Sequence, residues 1–260
     1  MKEKSVPEKI ISLGQEHILF RTETSTSSPH TMHAVKLCIP IEGALTITCQ
    51  GKSPESAKAP IIIRANTLHT LSCEGHSLTL LLAPELLMHL DIQWNPQRPF
   101  FWLSGRQRED LFALARSQSF YLPSSELADM AKDWVDCLSF GNKEKSWDGR
   151  ILEVQQRLKY CIQTGEGKLS LDALAAEVGL SSYRLSHLFR EQTGCTFQRY
   201  ILWQKLLFTV PFFASGCSIS QVAHMAGFSD HAHLSRTAKK LIGRTPTEIM
   251  KNSKIIQDKS

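Results

Sequence analysis

Between His17 and Leu82 the hydrophobic residues come in short runs: Ile18 to Phe20, Ala34 to Ile39, Ala44 to Cys49, Ile61 to Ile63, Leu68 to Leu71 and Leu78 to Leu82. Turn residues separate them at Ser27-Ser28-Pro29, Glu42-Gly43, Gly51 to Pro60 and Glu74-Gly75. Runs of this length and spacing predict short β-strands in a small barrel or sandwich. After Pro84 the period lengthens. Leu127, Met130, Ala131, Trp134, Val135 and Leu138 fall on one stripe of a helix capped by Ser124 or Ser125. That stripe has to be buried, either on the barrel or against a second copy of the chain. Residues 141–149 are polar and read as a linker. Beyond them the helical period holds over 150–163, 171–178, 182–192, 197–215, 219–226, 230–241 and 246–253. The fold expected is α+β in two domains: 1–140, a barrel with following helices, and 150–253, all helical, with 254–260 as a polar tail.

Inside the helical half the chain repeats itself. Leu174-Ala-Ala-Glu-Val-Gly-Leu-Ser181 matches Val222-Ala-His-Met-Ala-Gly-Phe-Ser229, and one residue further on Leu185-Ser186 pairs with Leu234-Ser235 and Gly194 with Gly243. Each copy reads as helix, tight turn, helix. The small Ala permits a close crossing, the Gly four residues later suits a left-handed helix end, and Ser181 and Ser229 stand where a hydroxyl caps the next helix. With Leu185, Leu188 and Phe189 buried, Ser182, Tyr183, Arg184, Ser186, His187 and Arg190 point outward. The second copy buries Leu234 and exposes His231, His233, Ser235, Arg236 and Lys239. Such donor-rich faces suit a helix lying in a DNA major groove.

These segments resemble the AraC/XylS family of bacterial transcription regulators. The likeness spans about 100 residues, through Leu174-Ala-x-x-x-Gly-Leu-Ser181, Leu185-Ser-x-Leu-Phe-Arg190, Ala226-Gly-Phe-Ser-Asp230, His233-Leu-Ser-Arg236 and Gly243-x-Thr-Pro246. It implies a seven-helix domain whose two helix-turn-helix units, joined by one long helix, enter successive major grooves about 34 Å apart. By position in the family pattern, Tyr183, Ser186, His187, His231, His233, Ser235 and Arg236 would approach bases, and Ser181, Ser182, Arg184, Arg190 and Lys239 phosphates. The departures are Lys205 where the family usually has Arg, Thr209 for a small Ala, Ala238 for Phe, and Pro211 inside the joining helix, where proline removes a donor and favours a bend. Packing of Phe212 and Phe213 around Pro211 would preserve the spacing of the units. The first half is similar to the cupin-like sensing domain of the same family, chiefly over Met32 to Leu37 and Ile61 to His69. That likeness implies a small-molecule effector, with His33 and His69 as pocket candidates.

Charge agrees with a polyanion partner. The net charge of +5 is unevenly held: residues 150–260 carry 15 Lys and Arg against 8 Asp and Glu, whereas the remainder is slightly acidic. Double-stranded DNA is therefore the expected partner, with a homodimer and RNA polymerase as further candidates. The charged first ten residues do not read as a secretory signal and no apolar run reaches membrane-spanning length, so a cytoplasmic protein without membrane contact is expected. Seven cysteines at 38, 49, 73, 137, 161, 195 and 217 lack any Cys-x-x-Cys pair and read as buried thiols. His30, His33, His69 and His76 lack the spacing of a metal site, so no metal and no cofactor is expected. No nucleophile motif or phosphate-binding glycine loop is present, and no catalytic residue is assigned. A cupin-type enzyme, or an interaction protein with degenerate DNA binding suggested by Pro211 and the His-rich face, are the competing readings.

Overall fold

A computed structural model describes residues 9–13, 17–22, 25–27, 29–82, 98–117, 133–134, 137–138, 147–166, 170–193, 195–250 and 253–257. The first part is built of β1 (Lys9–Leu13), β2 (His17–Thr22), β3 (Ser25–Thr26), β4 (Val35–Pro40), β5 (Leu45–Cys49), β6 (Glu55–Ala57), β7 (Ile61–Ile63), β8 (His69–Cys73), β9 (Ser77–Leu82) and β10 (Phe100–Trp102), then helix α1 (Gly105–Ser117). Helices α2 (Gly149–Thr164), α3 (Leu171–Glu177), α4 (Ser182–Thr193), α5 (Phe197–Ala214), α6 (Ile219–Met225), α7 (His231–Ile242) and α8 (Pro246–Met250) follow, and β11 (Ser253–Gln257) comes last.

The strands form two facing sheets, ordered β10-β7-β4-β9-β2-β1-β11 and β3-β8-β5-β6. They do not close into the barrel the strand spacing suggested. Instead β11 takes the free edge of β1, in parallel register from Lys9 with Ser253 to Leu13 with Gln257. The segment expected to be a polar tail is thus largely a strand, because unpaired amides at a sheet edge offer a ready partner for an extended chain.

Both faces of the larger sheet are covered, which is why all six residues of β4 are buried. One face, with Leu19, Val35, Leu37, Ile39, Ile62 and Leu80, packs on Leu111 and Ala115 of α1 and on Trp134 and Leu138. Trp134 and Leu138 are wholly buried within the chain, so packing accounts for their place on the apolar stripe; Leu127 and Met130 lie outside the described residues. The opposite face meets the smaller sheet through Cys38, Ile61, Ile63, Leu45, Ile47, Leu71 and Cys73.

The helical part has two cores. Ile151, Val154 and Leu158 of α2 pack with Leu174, Ala175, Leu185, Phe189, Phe197 and Tyr200. The second core does not stop at the helices. Trp203, Leu206, Val210 and Phe213 of α5, with Val222, Ala223, Leu234, Ala238, Leu241 and Ile242, share one cluster with Ile18, Phe20, Met32, Ala34 and Leu81 of the sheet domain. The amides of His33 and Ala34 donate to the Leu241 carbonyl at 3.0 and 3.1 Å. Helix α5 runs through Pro211 to Ala214, with Phe213 buried and Phe212 packed beside the cluster. Its family departures also find places: Thr209 and Ala238 are fully buried, and Lys205 Nζ donates to the Gly227 carbonyl at 2.7 Å.

Gly243 ends α7 with φ +76°, and a Cβ there would stand 2.8 Å from Cδ2 of His30 across the seam. Gly243→Ala is expected to destabilise the chain by about 1–3 kcal/mol, from the left-handed backbone plus that clash. Urea unfolding checks it, and an unchanged midpoint would mean the seam yields freely.

Candidate functional site

In the first unit Ser170 caps α3, its hydroxyl accepting from the Ala173 amide at 3.1 Å. Gly179 turns the chain at φ +66°, and the Leu180 amide closes the turn on the Ala175 carbonyl at 2.8 Å. Ser181 then accepts from the Arg184 amide at 3.3 Å, and the Ser182 hydroxyl donates to the Asp172 carboxylate. Leu185, Phe189 and Thr193 hold α4 to the core. Tyr183, Arg184, Ser186, His187 and Arg190 are exposed on its other side, Tyr183 to 78%. An aromatic ring that exposed gains nothing from the fold and is available to a partner.

The second unit repeats the plan with one change. Ser218 and Gln221 form a capping box at the start of α6, and Gly227 turns at φ +67°. The cap of α7 is Asp230 rather than the expected Ser229: its carboxylate accepts from the His233 amide at 2.7 Å, and that bond holds the carboxyl below its ordinary pKa. The Ser229 hydroxyl instead bonds the Asp230 carboxylate and lies 3.1 Å from Nδ1 of His233. His233 is further fixed by its edge against the Phe228 ring, with centroids 5.2 Å apart. His231 and Arg236 are exposed, while His233 and Ser235 are half-buried. Lys239 is exposed too but pairs with Glu248 at 3.4 Å, so a phosphate would have to compete with that carboxylate.

Behind α7, between the two sheets, lies a cavity of about 480 Å³. Phe20, Leu45, Leu71 and Leu81 supply apolar walls; His30 and Lys36 stand on the sheet side; Lys239, Ile242, Gly243, Arg244 and Glu248 close it from the end of α7 and the start of α8. Lys36 is only 7% exposed. Its Nζ donates to Nε2 of His69 at 3.1 Å and of His30 at 3.4 Å. Nδ1 of His69 lies 2.9 Å from the Thr67 carbonyl and donates to it, which leaves Nε2 as an acceptor. Burial foremost, then the nearby Lys36 charge, pushes His69 down to about 3, and burial pulls Lys36 down to about 8.

The two pocket candidates therefore sit differently from expectation. His69 stands behind the cavity, holding Lys36, and His33 is at the interdomain seam, hydrogen-bonded to Asn66. Neither is part of the cavity lining: His33 is the neighbour of Met32, which does line it, and His69 shares the inward face of β8 with Leu71 and Cys73 but lies against Lys36. Lys36, His30 and Arg244 take their place. The one available signal was a lysine inside the apolar run Ala34 to Ile39, a charge that must face a special environment. The described cysteines form no disulfide, and burial raises the thiols of Cys38, Cys49, Cys73 and Cys137. Among the described residues no cluster of three metal-ligating side chains occurs, and no helix is long and apolar enough to cross a membrane.

Comparison with known proteins agrees with this geometry. A family model described as a helix-turn-helix domain matches residues 174–252. The chain is 30% identical over 103 residues to the "Probable transcription factor PqrA" of Proteus vulgaris, covering 39% of this chain and 84% of that protein. It is 24% identical over 189 residues to the "Probable transcriptional regulator LumQ" of Photobacterium leiognathi, 71% of this chain and 76% of that one. In fold it is similar to ToxT of Vibrio cholerae, with TM-score 0.53 at 12% identity over 91% of this chain and 98% of that chain. Wild-type ToxT with an unsaturated fatty acid bound gives TM-score 0.51 at 13% identity, over 92% and 96% of the two chains. A sheet domain followed by two helix-turn-helix units, with relatives that are transcription regulators, defines a DNA-binding transcription regulator. The chain belongs to the AraC/XylS family.

The buried lysine makes a testable demand on stability. Its folded pKa lies below the unfolded value of 10.5, so the cost of burying the ammonium is complete below pH 8 and fades as pH rises toward 10.5. The stability difference between Lys36→Met and the parent should therefore shift in the parent's favour by about 2–3 kcal/mol across that window. Urea unfolding at several pH values measures it; a difference independent of pH would show that Lys36 titrates normally.

Proposed function

We propose that this regulator reads a specific DNA site with α4 and α7 and is controlled by a small molecule held in the cavity behind α7. Tyr183, Ser186, His187, His231, His233, Ser235 and Arg236 are assigned to base edges, and Ser181, Ser182, Arg184, Arg190 and Lys239 to phosphates. Exposure of Tyr183, Ser186, His187, Arg190, His231 and Arg236 supports the assignment, as does the excess of basic residues in this half.

One observation carries the control: the cavity wall is the C-terminal end of the second reading helix itself, through Lys239, Ile242, Gly243 and Arg244. The second unit shares its core with the sheet domain, while the first has a core of its own. A ligand that fits the cavity in only one setting of α7 therefore biases the angle between the units. It can shift DNA binding only by its differential affinity for the two settings. The fatty acid in ToxT supports an amphipathic effector, polar end toward Lys36 and apolar chain along Phe20, Leu71 and Leu81. Arg236, with its planar fork, is the strongest candidate for base discrimination. The reading places the protein in the cytoplasm with the chromosome, as a homodimer that contacts RNA polymerase, and includes no catalytic step. The dimer would use a surface other than Trp134 and Leu138, which the chain buries.

Selection of duplexes from a random pool by the full chain is expected to enrich a site with two contact blocks about one helical turn apart. On that site Arg236→Ala should cost about 1–3 kcal/mol and relax base preference, whereas Arg190→Ala should weaken all sequences alike. Equal losses on selected and random DNA for Arg236→Ala would remove its assigned role. Ser72→Trp, which enlarges a side chain of the cavity lining, should alter affinity for the selected site without changing its sequence; unchanged affinity would count against control from the cavity.

A further inference from the structure

We propose that Lys36 captures its effector covalently, as an imine with an apolar aldehyde. The inference rests on the cavity being the effector site and names the reactive group of the ligand.

A neutral amine has two N–H donors and one lone pair. At Lys36 the acceptors number two, Nε2 of His69 and Nε2 of His30, and among the described residues no carboxylate pairs with Nζ. His69 is held as an acceptor by its Nδ1 bond to Thr67, and His30 accepts in the tautomer that carries its proton on Nδ1. Both donors are thus used and the third position on nitrogen is left for the cavity that Lys36 lines. Arg244, on the facing wall, disfavours a second cation beside it. Glu248, the acidic residue of that wall, is committed to Lys239. Desolvation together with a neighbouring cation is the setting in which a lysine amine becomes a nucleophile toward carbonyl compounds. The depressed lysine pKa agrees with that state.

The step balances without any further reagent. The Nζ lone pair forms a bond to the aldehyde carbon, and the carbonyl electrons move to oxygen, which takes up a proton given up by nitrogen through the His30 imidazole. Loss of the second N–H proton and of hydroxide as one water leaves C=N. No group is oxidised or reduced. The apolar lining of Phe20, Met32, Leu45, Leu71 and Leu81 receives the chain of the aldehyde and keeps bulk water from reversing the condensation.

The test uses the full chain with octanal and cyanoborohydride, which traps an imine as a stable secondary amine, followed by peptide mapping. Lys36 is expected to carry about tenfold or more label than any other lysine, since its neutral fraction near pH 7.5 is far larger than that of an exposed lysine. Lys36→Arg should abolish the preferred adduct. Label spread evenly over the lysines, with none preferred at Lys36, overturns the proposal, and mapping on the unaltered chain keeps this readable even if the variant folds poorly. Octanoate and octanol, which cannot condense, run alongside in thermal unfolding. Stabilisation by either without a Lys36 adduct overturns the imine and leaves the cavity as effector site. No stabilisation by any of the three, with Ser72→Trp also inert toward DNA binding, removes both.

Discussion

The organisation of this regulator depends on one shared apolar core. Ile18, Phe20, Met32, Ala34 and Leu81 on the sheet side and Trp203, Leu206, Phe213, Leu234 and Leu241 on the helical side are buried in one cluster. Fully burying a side chain of this size is worth about 1.5–3 kcal/mol, so a contact of this breadth ties the second helix-turn-helix unit to the sheet domain. The Leu241 carbonyl and the β1–β11 pairing add backbone bonds across the same junction.

Its consequence is an asymmetry between the reading units. The first keeps a private core around Leu185 and Phe189, and reaches the rest through α5. The second is built into the wall of the cavity. A change a fraction of an ångström deep at Gly243 has nowhere to dissipate, since His30 already stands against that glycine. On the proposed reading signal transmission needs no long pathway, because the cavity lies at the C-terminal end of the helix whose exposed face is assigned to DNA.

Polar chemistry inside the sheets follows from the same enclosure. Lys36, His30 and His69 would be ordinary groups on an exposed strand. Once the helices cover the mouth of the sandwich, the His69 ring becomes a neutral acceptor and the lysine loses the water that would hold its proton. The buried thiols respond in the opposite sense for the same reason, and stay protonated.

Much of this was readable from sequence because it is local. The seven C-terminal helices lie within a few residues of their periodicity, and Gly179 and Gly227 have the left-handed backbone their place in the repeat required. Even Pro211 is accommodated as the aromatic pair beside it suggested. Strands with strong apolar runs, such as Val35–Pro40 and Ser77–Leu82, were equally legible, whereas Glu55–Ala57, Phe100–Trp102 and Ser253–Gln257 were not, since short or polar strands owe their form to a neighbour. The cap at Asp230, the replacement of His33 by Lys36 and His30 in the cavity, and the joining of the second unit to the sheets were decided by tertiary contact alone. Period, turn chemistry and capping act within a few residues and are written in the chain; which apolar face meets which, and what charge is sealed between them, depends on surfaces brought together from some two hundred residues apart, Ala34 against Leu241 among them.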